Sequence, residues 1–304
     1  MKKYFNCSLV VLSLILLTGV FTWGWFSSRM YQANGEIFSA GEKRAYLLYV
    51  PESYDADKPA PLVVTLHGFA SWPQHIQQIS RWNQLADEYG FIVVYPRGTS
   101  LPMRWRIFGR FDWPSGVDAD INFISDLIDE LSSQYNIDPT RVYVNGKSNG
   151  AGMAFALACR LSGRIAAFGG VAGGYTLPWE NCKPSRPVPG VIIHGDADLV
   201  ASYMGGPTGP SGAVFPSIPD WVSRLAQLNR CSSLPVNIPS NGNVRAVRFT
   251  GCAQEAEVDF YTILDGGHTW PGDRTTLNPL VGHTSQDIDA TRVMWEFFRA
   301  HPMR

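Results

Sequence analysis

One serine of the chain stands where its neighbours could turn it into a nucleophile. Ser148 lies in the pentapeptide 146–150 (Gly-Lys-Ser-Asn-Gly), between the β-branched and aromatic run 141–145 and the helix-forming residues 151–161. In a G-x-S-x-G turn between a strand and a helix, the flanking glycines allow a close approach that exposes the serine hydroxyl. The pentapeptide alone is weak evidence in a chain with 29 glycines, so the prediction also depends on the partners that Ser148 would need.

A histidine that could activate this serine follows a predicted strand. His268 lies in the segment 265–270, directly after a strand that ends at Leu264. In this role a histidine takes the proton of the serine hydroxyl and later gives it to the leaving group. The other candidates suit the role less well: His75 lies on a predicted helix, His283 in a late loop and His301 near the end of the sequence, and His194 is expected to be a structural partner.

Two carboxylates, Asp196 and Asp198, follow the strand that ends at His194. Sequence pattern does not separate them, but a side chain needs a residue or two beyond the strand before it can reach the loop of His268. We therefore predict that Asp198 orients His268 and that Asp196 caps backbone N–H groups of the turn. The predicted catalytic residues are Ser148, Asp198 and His268, in this order along the chain.

Backbone N–H groups near Ser148 could stabilise the negative charge that develops on a carbonyl oxygen under attack. Phe69 follows Leu66-His67-Gly68 at the end of a buried strand, and Asn149 directly follows the nucleophile. We predict that the N–H groups of Phe69 and Asn149 form an oxyanion hole. The alternative is an ordinary strand-to-loop turn, in which His67 bonds nearby backbone groups.

Alternating strands and helices must position these residues. Buried strands are predicted at 44–50, 62–66, 91–95, 141–145, 166–171, 191–194, 244–250 and 258–264, and helices at 74–89, 120–136, 151–161, 220–229 and 287–301. This alternation predicts an α/β fold with a mostly parallel sheet and helices on both faces, and ligands bind beyond the carboxyl ends of such strands. With 304 residues, 45% of them hydrophobic, the chain suits one large domain, which we assign to residues 35–304.

No metal, cofactor or nucleic-acid partner is expected. The segment 118–122 (Asp-Ala-Asp-Ile-Asn) resembles the start of a calcium-binding loop, but Phe123 stands where such a loop needs glycine. The formal charge of −1 and the scattered basic residues lack the positive footprint of a nucleic-acid-binding protein.

The amino-terminal residues 1–34 have the composition of an export signal or a membrane anchor with a linker. Two lysines precede an apolar run from Cys7 to Phe26, about the length that spans a bilayer. The aromatic residues at its far end favour an uncleaved anchor with the catalytic domain outside the cytoplasm, while cleavage within 27–34 is the alternative. In both cases the domain is exported to a periplasmic or extracellular location.

The cysteines agree with export. Beyond the amino-terminal run, Cys159, Cys182, Cys231 and Cys252 form an even set that allows three pairings. Sequence order favours Cys159–Cys182 and Cys231–Cys252, with a free buried thiol at Cys159 as the alternative for the first pair.

Aromatic residues cluster in the predicted loops at the active edge of the sheet. Trp105, Phe108, Phe111 and Trp113 follow the strand 91–95, and Trp270 lies beside His268. We predict that Trp105, Trp113 and Trp270 bind the substrate in an aromatic cleft. The alternative is that these rings cover the core under a long loop.

Five motifs together resemble one esterase family. Leu66-His67-Gly68, Tyr95-Pro96-Arg97-Gly98, the serine pentapeptide, the segment 194–198 and the segment 267–272 are similar to the motifs of the polyhydroxybutyrate depolymerase family, which is similar to secreted feruloyl and acetylxylan esterases. The similarity spans residues from about Gly41 to the final helix.

The resemblance implies an α/β-hydrolase fold and a serine carboxylic ester hydrolase that acts through an acyl-enzyme. It implies Ser148, Asp198 and His268 as the triad, and a polyester, hydroxyalkanoate oligomer or feruloyl or acetyl ester as the substrate. A serine peptidase on the same fold and a non-catalytic binding module are the alternatives.

Two features depart from the family pattern. Members that degrade solid polymer often carry an added binding domain, which this sequence does not show, so we do not expect adsorption to crystalline polymer. Lys147 also stands in the serine pentapeptide where an uncharged residue is common, and the sequence offers no explanation for it.

Overall fold

The computed structural model describes residues 33–107, 115–208, 213–232, 234–276 and 279–304. The predicted anchor run and the aromatic residues Phe108, Phe111 and Trp113 lie outside the described residues. Within the described ranges, no helix is long and apolar enough to cross a membrane.

The described strands are β1 (Gly35–Ser39), β2 (Glu42–Tyr49), β3 (Ala60–Leu66), β4 (Ile92–Pro96), β5 (Ile137–Lys147), β6 (Ala167–Val171), β7 (Gly190–Gly195), β8 (Gly206–Thr208), β9 (Ala213–Phe215), β10 (Val236–Asn237), β11 (Val244–Phe249) and β12 (Val258–Ile263). The described α-helices are α1 (Pro73–Ser80), α2 (Trp82–Tyr89), α3 (Ser115–Gln134), α4 (Asn149–Arg160), α5 (Ile218–Leu228) and α6 (Ala290–Ala300).

One large sheet organises the described chain, with the strand order β1-β2-β4-β3-β5-β6-β7-β12-β11-β10. The six strands from β4 to β12 in this order are parallel, and antiparallel strands extend both edges. A separate short hairpin pairs β8 with β9. The prediction of a mostly parallel sheet is therefore confirmed, and the carboxyl ends of its central strands meet at one edge.

Helices cover both faces because the central strands are apolar on both sides. In β3, Leu62 and Val64 enter a core beneath α3, α4 and α5, while Val63 enters a second core beneath α1, α2 and α6. Successive side chains of a strand point to opposite faces, so continuous apolar runs such as β3 fill two cores at once. This arrangement explains why the central strands are continuous apolar runs in the sequence.

The predicted helix 74–89 is two helices in the structure. Arg81 adopts a left-handed conformation, with φ of 56°, at the junction of α1 and α2. Its guanidinium donates to the carboxylate of Asp289 at 2.6 Å, and Asp289 also caps the first N–H groups of α6. A contact between residues 208 positions apart holds this break, so local helix propensity could not reveal it.

A buried ionic network fixes the loop that follows β4. The carboxylate of Asp120 on α3 accepts hydrogen bonds from the backbone N–H and the guanidinium of Arg106, both at 2.8 Å, and lies 2.9 Å from the guanidinium of Arg44. Glu42 accepts two further hydrogen bonds from Arg106. Because Asp120 is buried, breaking this network would leave an uncompensated charge inside the protein.

Both predicted disulfides are present. Cys159 bonds to Cys182, and Cys231 bonds to Cys252. The first bond ties the end of α4 to the segment that leads into β7, and the second ties the chain after α5 to the chain after β11.

Reduction of these disulfides should lower the thermal stability of the protein. The bonds join residues 23 and 21 positions apart, and closing loops of this length removes unfolded-chain entropy worth about 3 kcal/mol each. A loss of this size corresponds to a fall in Tm of about 5–10 °C for each bond in a domain of this size. Differential scanning fluorimetry of the double variants Cys159→Ser/Cys182→Ser and Cys231→Ser/Cys252→Ser measures each contribution, and a reducing agent should add nothing to a variant that lacks both bonds. Unchanged Tm values in both double variants would contradict the expectation.

Candidate active site

The backbone at Ser148 has the strained conformation of a nucleophile elbow. Ser148 connects β5 to α4 with φ of 56° and ψ of −120°, and its side chain is partly exposed. A Cβ atom at Gly146 would lie 2.5 Å from the carbonyl carbon of Gly150, and one at Gly150 would lie 2.3 Å from the carbonyl oxygen of Leu66. Glycine is therefore required at both positions, because the strand, the turn and the helix approach each other without space for side chains.

The loops after β7 and β12 bring a carboxylate and a histidine into contact. The Nδ1 atom of His268 lies 2.8 Å from Oδ2 of Asp198, and both side chains are buried. The other oxygen of Asp198 accepts the backbone N–H groups of Val200 and Ala201, each at 2.8 Å. Both carboxylate oxygens are thus held, so Asp198 fixes the orientation of the His268 ring and leaves Nε2 for proton transfer.

His194 also approaches Asp198, as expected of a structural partner. Its Nε2 atom lies 2.8 Å from the carbonyl oxygen of Ala201 and 3.3 Å from Oδ2 of Asp198. Burial alone would raise the pKa of Asp198, but hydrogen bonds from His194 and His268 and the charges of these rings lower it well below its ordinary range. Asp198 is therefore a carboxylate at neutral pH.

Asp196 has a different role from Asp198. It is exposed, and its carboxylate accepts the backbone N–H of Asp265 at 2.7 Å. This bond joins the turn after β7 to the turn after β12. Asp196 therefore caps a backbone N–H group, as predicted, but this group belongs to Asp265 and not to the turn of Asp196 itself, where the sequence predicts the cap.

Backbone hydrogen bonds align the elbow with the loop of His268. Ser148 donates to the carbonyl of Val171 after β5, Ala172 donates to Ile193, and Asp196 donates to Ile263. These bonds connect the carboxyl ends of β5, β6, β7 and β12 in succession. Ser148 and His268 therefore lie on the same edge of the sheet.

The two predicted oxyanion donors lie beside the nucleophile. Asn149 is the first residue of α4, so its N–H has no acceptor within the helix. A Cβ atom at Gly68 would lie 3.5 Å from Cβ of Ser148, which places the turn of Phe69 against the nucleophile. The Phe69 side chain is 49% exposed at the rim of this edge.

The side chain of Asn149 has a role that the sequence did not reveal. Its amide accepts the backbone N–H of Trp105 at 2.7 Å and donates to the carbonyl of Trp105 at 3.2 Å. The indole N–H of Trp105 donates to the carbonyl of His67 at 3.0 Å. Asn149 therefore connects the elbow to the loop after β4, and this loop in turn contacts the loop after β3.

His67 completes this connection as a neutral imidazole. Its Nε2 atom accepts the backbone N–H of Gly98 at 2.9 Å, so Nδ1 carries the proton and donates to the carbonyl of Gly68 at 2.7 Å. Burial lowers the pKa of His67 to about 4. His67 thus satisfies backbone groups, as in the alternative weighed from the sequence, and thereby holds the turn that precedes Phe69.

The prediction of a tryptophan-lined cleft is wrong for two of its three residues. Trp105 and Trp270 are 0% and 1% exposed. Trp105 packs beside His67, and the indole N–H of Trp270 donates to the hydroxyl of Thr291 at 3.0 Å. Both rings cover the core because their polar N–H groups find partners inside the protein. Trp113 lies outside the described residues.

Known esterases are similar to this chain in sequence. The family model for "Esterase PHB depolymerase" matches residues 44–177. A bifunctional acetylxylan esterase/xylanase of Neocallimastix patriciarum is 34% identical over 164 residues, which are 54% of this chain and 23% of that protein. Feruloyl esterase C of Emericella nidulans is 26% identical over 268 residues, covering 84% of each chain.

A solved structure shows the same fold over nearly its whole length. The acetyl xylan esterase from Aspergillus awamori superposes with a TM-score of 0.60 and 18% identity, covering 87% of this chain and 98% of that chain. Over residues 44–177 the chain is similar to the PHB depolymerase family of esterases, and its fold is that of the α/β-hydrolases. The esterase spans only about a quarter of the bifunctional acetylxylan esterase/xylanase, but it spans most of feruloyl esterase C.

The two carboxylates of the esterase should differ sharply on substitution. Asp198→Asn keeps the shape of the side chain but removes the charge and favours the wrong tautomer of His268, so kcat should fall by about four orders of magnitude. Asp196→Asn is the matched control, because it alters only an exposed cap and should lower kcat less than tenfold. Hydrolysis of one chromogenic ester, with folding checked by circular dichroism, compares the two. A larger loss at Asp196 would overturn the assignment.

The acid limb of the pH–rate profile of the esterase should lie below pH 6.5. Burial lowers the pKa of His268 from its ordinary value of 6.5, and the charges of Lys147 and His194 lower it further, which outweighs the opposing effect of Asp198. If the neutral ring acts as the base, kcat/KM should rise with pH as His268 loses its proton, and the midpoint of this rise should lie below 6.5. Initial rates on a neutral ester from pH 4 to 9 measure this, with circular dichroism at each pH as a control for unfolding. A midpoint above 6.5 would contradict the assigned environment.

Proposed function

We propose that the esterase is an exported serine carboxylic ester hydrolase that acts through an acyl-enzyme on Ser148. The observation that carries this proposal is the hydrogen bond between His268 and Asp198 on the sheet edge that also presents Ser148. A buried carboxylate that orients an imidazole on the same sheet edge as a strained serine supports nucleophilic acyl transfer.

The catalytic cycle follows from the positions of these groups. His268 accepts the proton of the Ser148 hydroxyl as its oxygen attacks the ester carbonyl, and the resulting imidazolium is stabilised by Asp198. The N–H groups of Asn149 and Phe69 bind the oxyanion of the tetrahedral intermediate. His268 then protonates the departing alcohol, and a water molecule, activated by the same ring, hydrolyses the acyl-enzyme.

The substrate class is proposed from the relatives. The names of the matching proteins refer to acetylxylan and feruloyl esters, and the family description refers to PHB. Candidate substrates are therefore acetyl or feruloyl esters of plant polysaccharide and oligomers of hydroxyalkanoates. No contact in the described chain favours the peptidase or binding-module alternatives.

Export is proposed from the amino-terminal sequence and the cysteines. Residues 1–34 resemble an export signal or anchor, and the two disulfides suit an oxidising compartment.

Ser148→Ala should abolish ester hydrolysis without unfolding the protein. Only binding and the oxyanion hole would remain, so kcat should fall by several orders of magnitude. The exposed Ser133 offers a matched control, because Ser133→Ala should keep full activity. Turnover of methyl ferulate, acetylated xylan and a hydroxybutyrate trimer, measured side by side, ranks the candidate substrates. A serine-directed phosphonate should label the peptide of Ser148 alone, and retained turnover in Ser148→Ala would refute the mechanism.

A further inference from the structure

Lys147 occupies a defined place on the active edge, directly before the nucleophile. Side chains of a strand alternate between its faces, and Tyr143 and Asn145 of β5 face the core beneath α1, α2 and α6. Lys147 continues this series, and its strand partner Val171 belongs to the same core. The ammonium therefore lies on the face where α1 and the loop of His268 reach the edge.

The ammonium of Lys147 has no partner within the described chain. It is partly buried, and among the described residues it forms neither a hydrogen bond nor an ion pair. A charge that is partly removed from water is costly unless another group compensates it. Burial lowers the pKa of Lys147 to about 8, and the charges of Asp198 and Asp273 oppose this shift, so the side chain is still mainly charged at neutral pH.

The two carboxylates whose charges act on Lys147 are Asp198 and Asp273, and each already accepts hydrogen bonds on both oxygens. The oxygens of Asp198 are bonded to His268 and to two backbone N–H groups. Those of Asp273 accept the backbone N–H and hydroxyl groups of Thr275 and Thr276. Both carboxylates therefore stabilise the charge of the ammonium without a direct hydrogen bond, and its three N–H donors are left for another acceptor.

The neighbouring His75 carries no charge at neutral pH, so it neither pairs with the ammonium as a counter-ion nor adds a second positive charge. His75 on α1 lies 2.8 Å from the hydroxyl of Ser71 through Nδ1. Burial lowers its pKa below 6.5, and the charge of Lys147 lowers it further, so His75 is neutral at neutral pH. The positive charge that acts on both His75 and His268 is that of Lys147.

We propose that Lys147 is a specificity-determining residue that binds a carboxylate of the substrate. The preferred substrates are then esters that carry a negative charge a short distance from the scissile carbonyl: half-esters of dicarboxylic acids, or hydroxy-acid oligomers with a free carboxyl end. A neutral ester offers the ammonium no carboxylate beyond those of the described chain, whereas an acidic ester forms a charge-assisted hydrogen bond with it. This inference rests on the proposed function in one respect, since it takes Ser148 as the nucleophile.

Two pairs of esters test the proposal, one for each side of the scissile bond. In the first pair, 4-nitrophenyl hydrogen adipate and 4-nitrophenyl hexanoate differ only by a carboxylate or a methyl group at the end of the acyl chain. In the second pair, the linear dimer of 3-hydroxybutyrate and its methyl ester differ in charge on the alcohol side, and release of 3-hydroxybutyrate is followed by chromatography. The measured quantity is the ratio of kcat/KM for the acidic ester to that for the neutral ester.

Lys147→Met should lower this ratio by about 10- to 100-fold in at least one pair, because a hydrogen bond to a charged group contributes about 1.5–3 kcal/mol and each 1.4 kcal/mol is tenfold. Lys147→Arg keeps the charge and should retain most of the ratio. Lys183→Met is the matched control at an exposed lysine after α4 and should leave the ratio unchanged.

The outcomes separate this proposal from the general mechanism. An equal loss on acidic and neutral esters, a shift confined to the pH–rate profile, or an unchanged ratio in both pairs would overturn the role of Lys147. Turnover of the neutral esters with none of the acidic ones by the unaltered protein would overturn it as well. Failure of the proposed function itself would show differently, as a chain that hydrolyses none of the four esters faster than Ser148→Ala.

Discussion

The close approach of three backbone segments at the serine is the constraint on which the rest of the site depends. Leu66 at the end of β3, Gly146 at the end of β5 and Gly150 in the first turn of α4 approach each other so closely that a single added Cβ atom would collide with backbone. This contact holds Ser148 against the turn of Gly68. A substitution at Gly146 or Gly150 would therefore move Ser148 together with the backbone of Asn149 and of the Gly68 turn.

Loops around this contact are held by polar side chains that reach across the edge. Asn149 bonds the loop after β4, His67 bonds the start of that loop, and Asp120 bonds Arg106 within it. Each of these residues is buried and satisfies backbone groups that would otherwise lack partners. The irregular segment after β4 is thus fixed at both ends, although it has no regular secondary structure of its own through residue 107.

The sequence predicts most of the sheet and the sharp turn at Ser148 because both depend on local signals. Continuous apolar runs identify the central strands, and glycines around Ser148 identify the elbow. The break at Arg81 and the clamp by Asn149 depend instead on partners far along the chain, Asp289 and Trp105, which no local pattern reveals. The prediction for Trp105 and Trp270 was wrong for a related reason. A ring in a loop near the active edge can face the solvent or the core, and in the structure both indole N–H groups have partners inside the protein.

The distance between Asp198 and His268 is set by strand pairing rather than by loop length. Asp198 and His268 leave the sheet from β7 and β12, whose parallel pairing extends from Gly190 to Gly195, and the bond from Asp265 to Asp196 joins the two turns directly beyond them. The chain directly beyond these turns also takes part, because the N–H groups of Val200 and Ala201 bond Asp198, and the carbonyls of Val281 and His283 accept the N–H groups of His268 and Gly267. A stretch between these contacts such as 204–217 forms no such bond among its described residues, so it can lengthen, shorten or change composition over generations while the distance between Asp198 and His268 is kept.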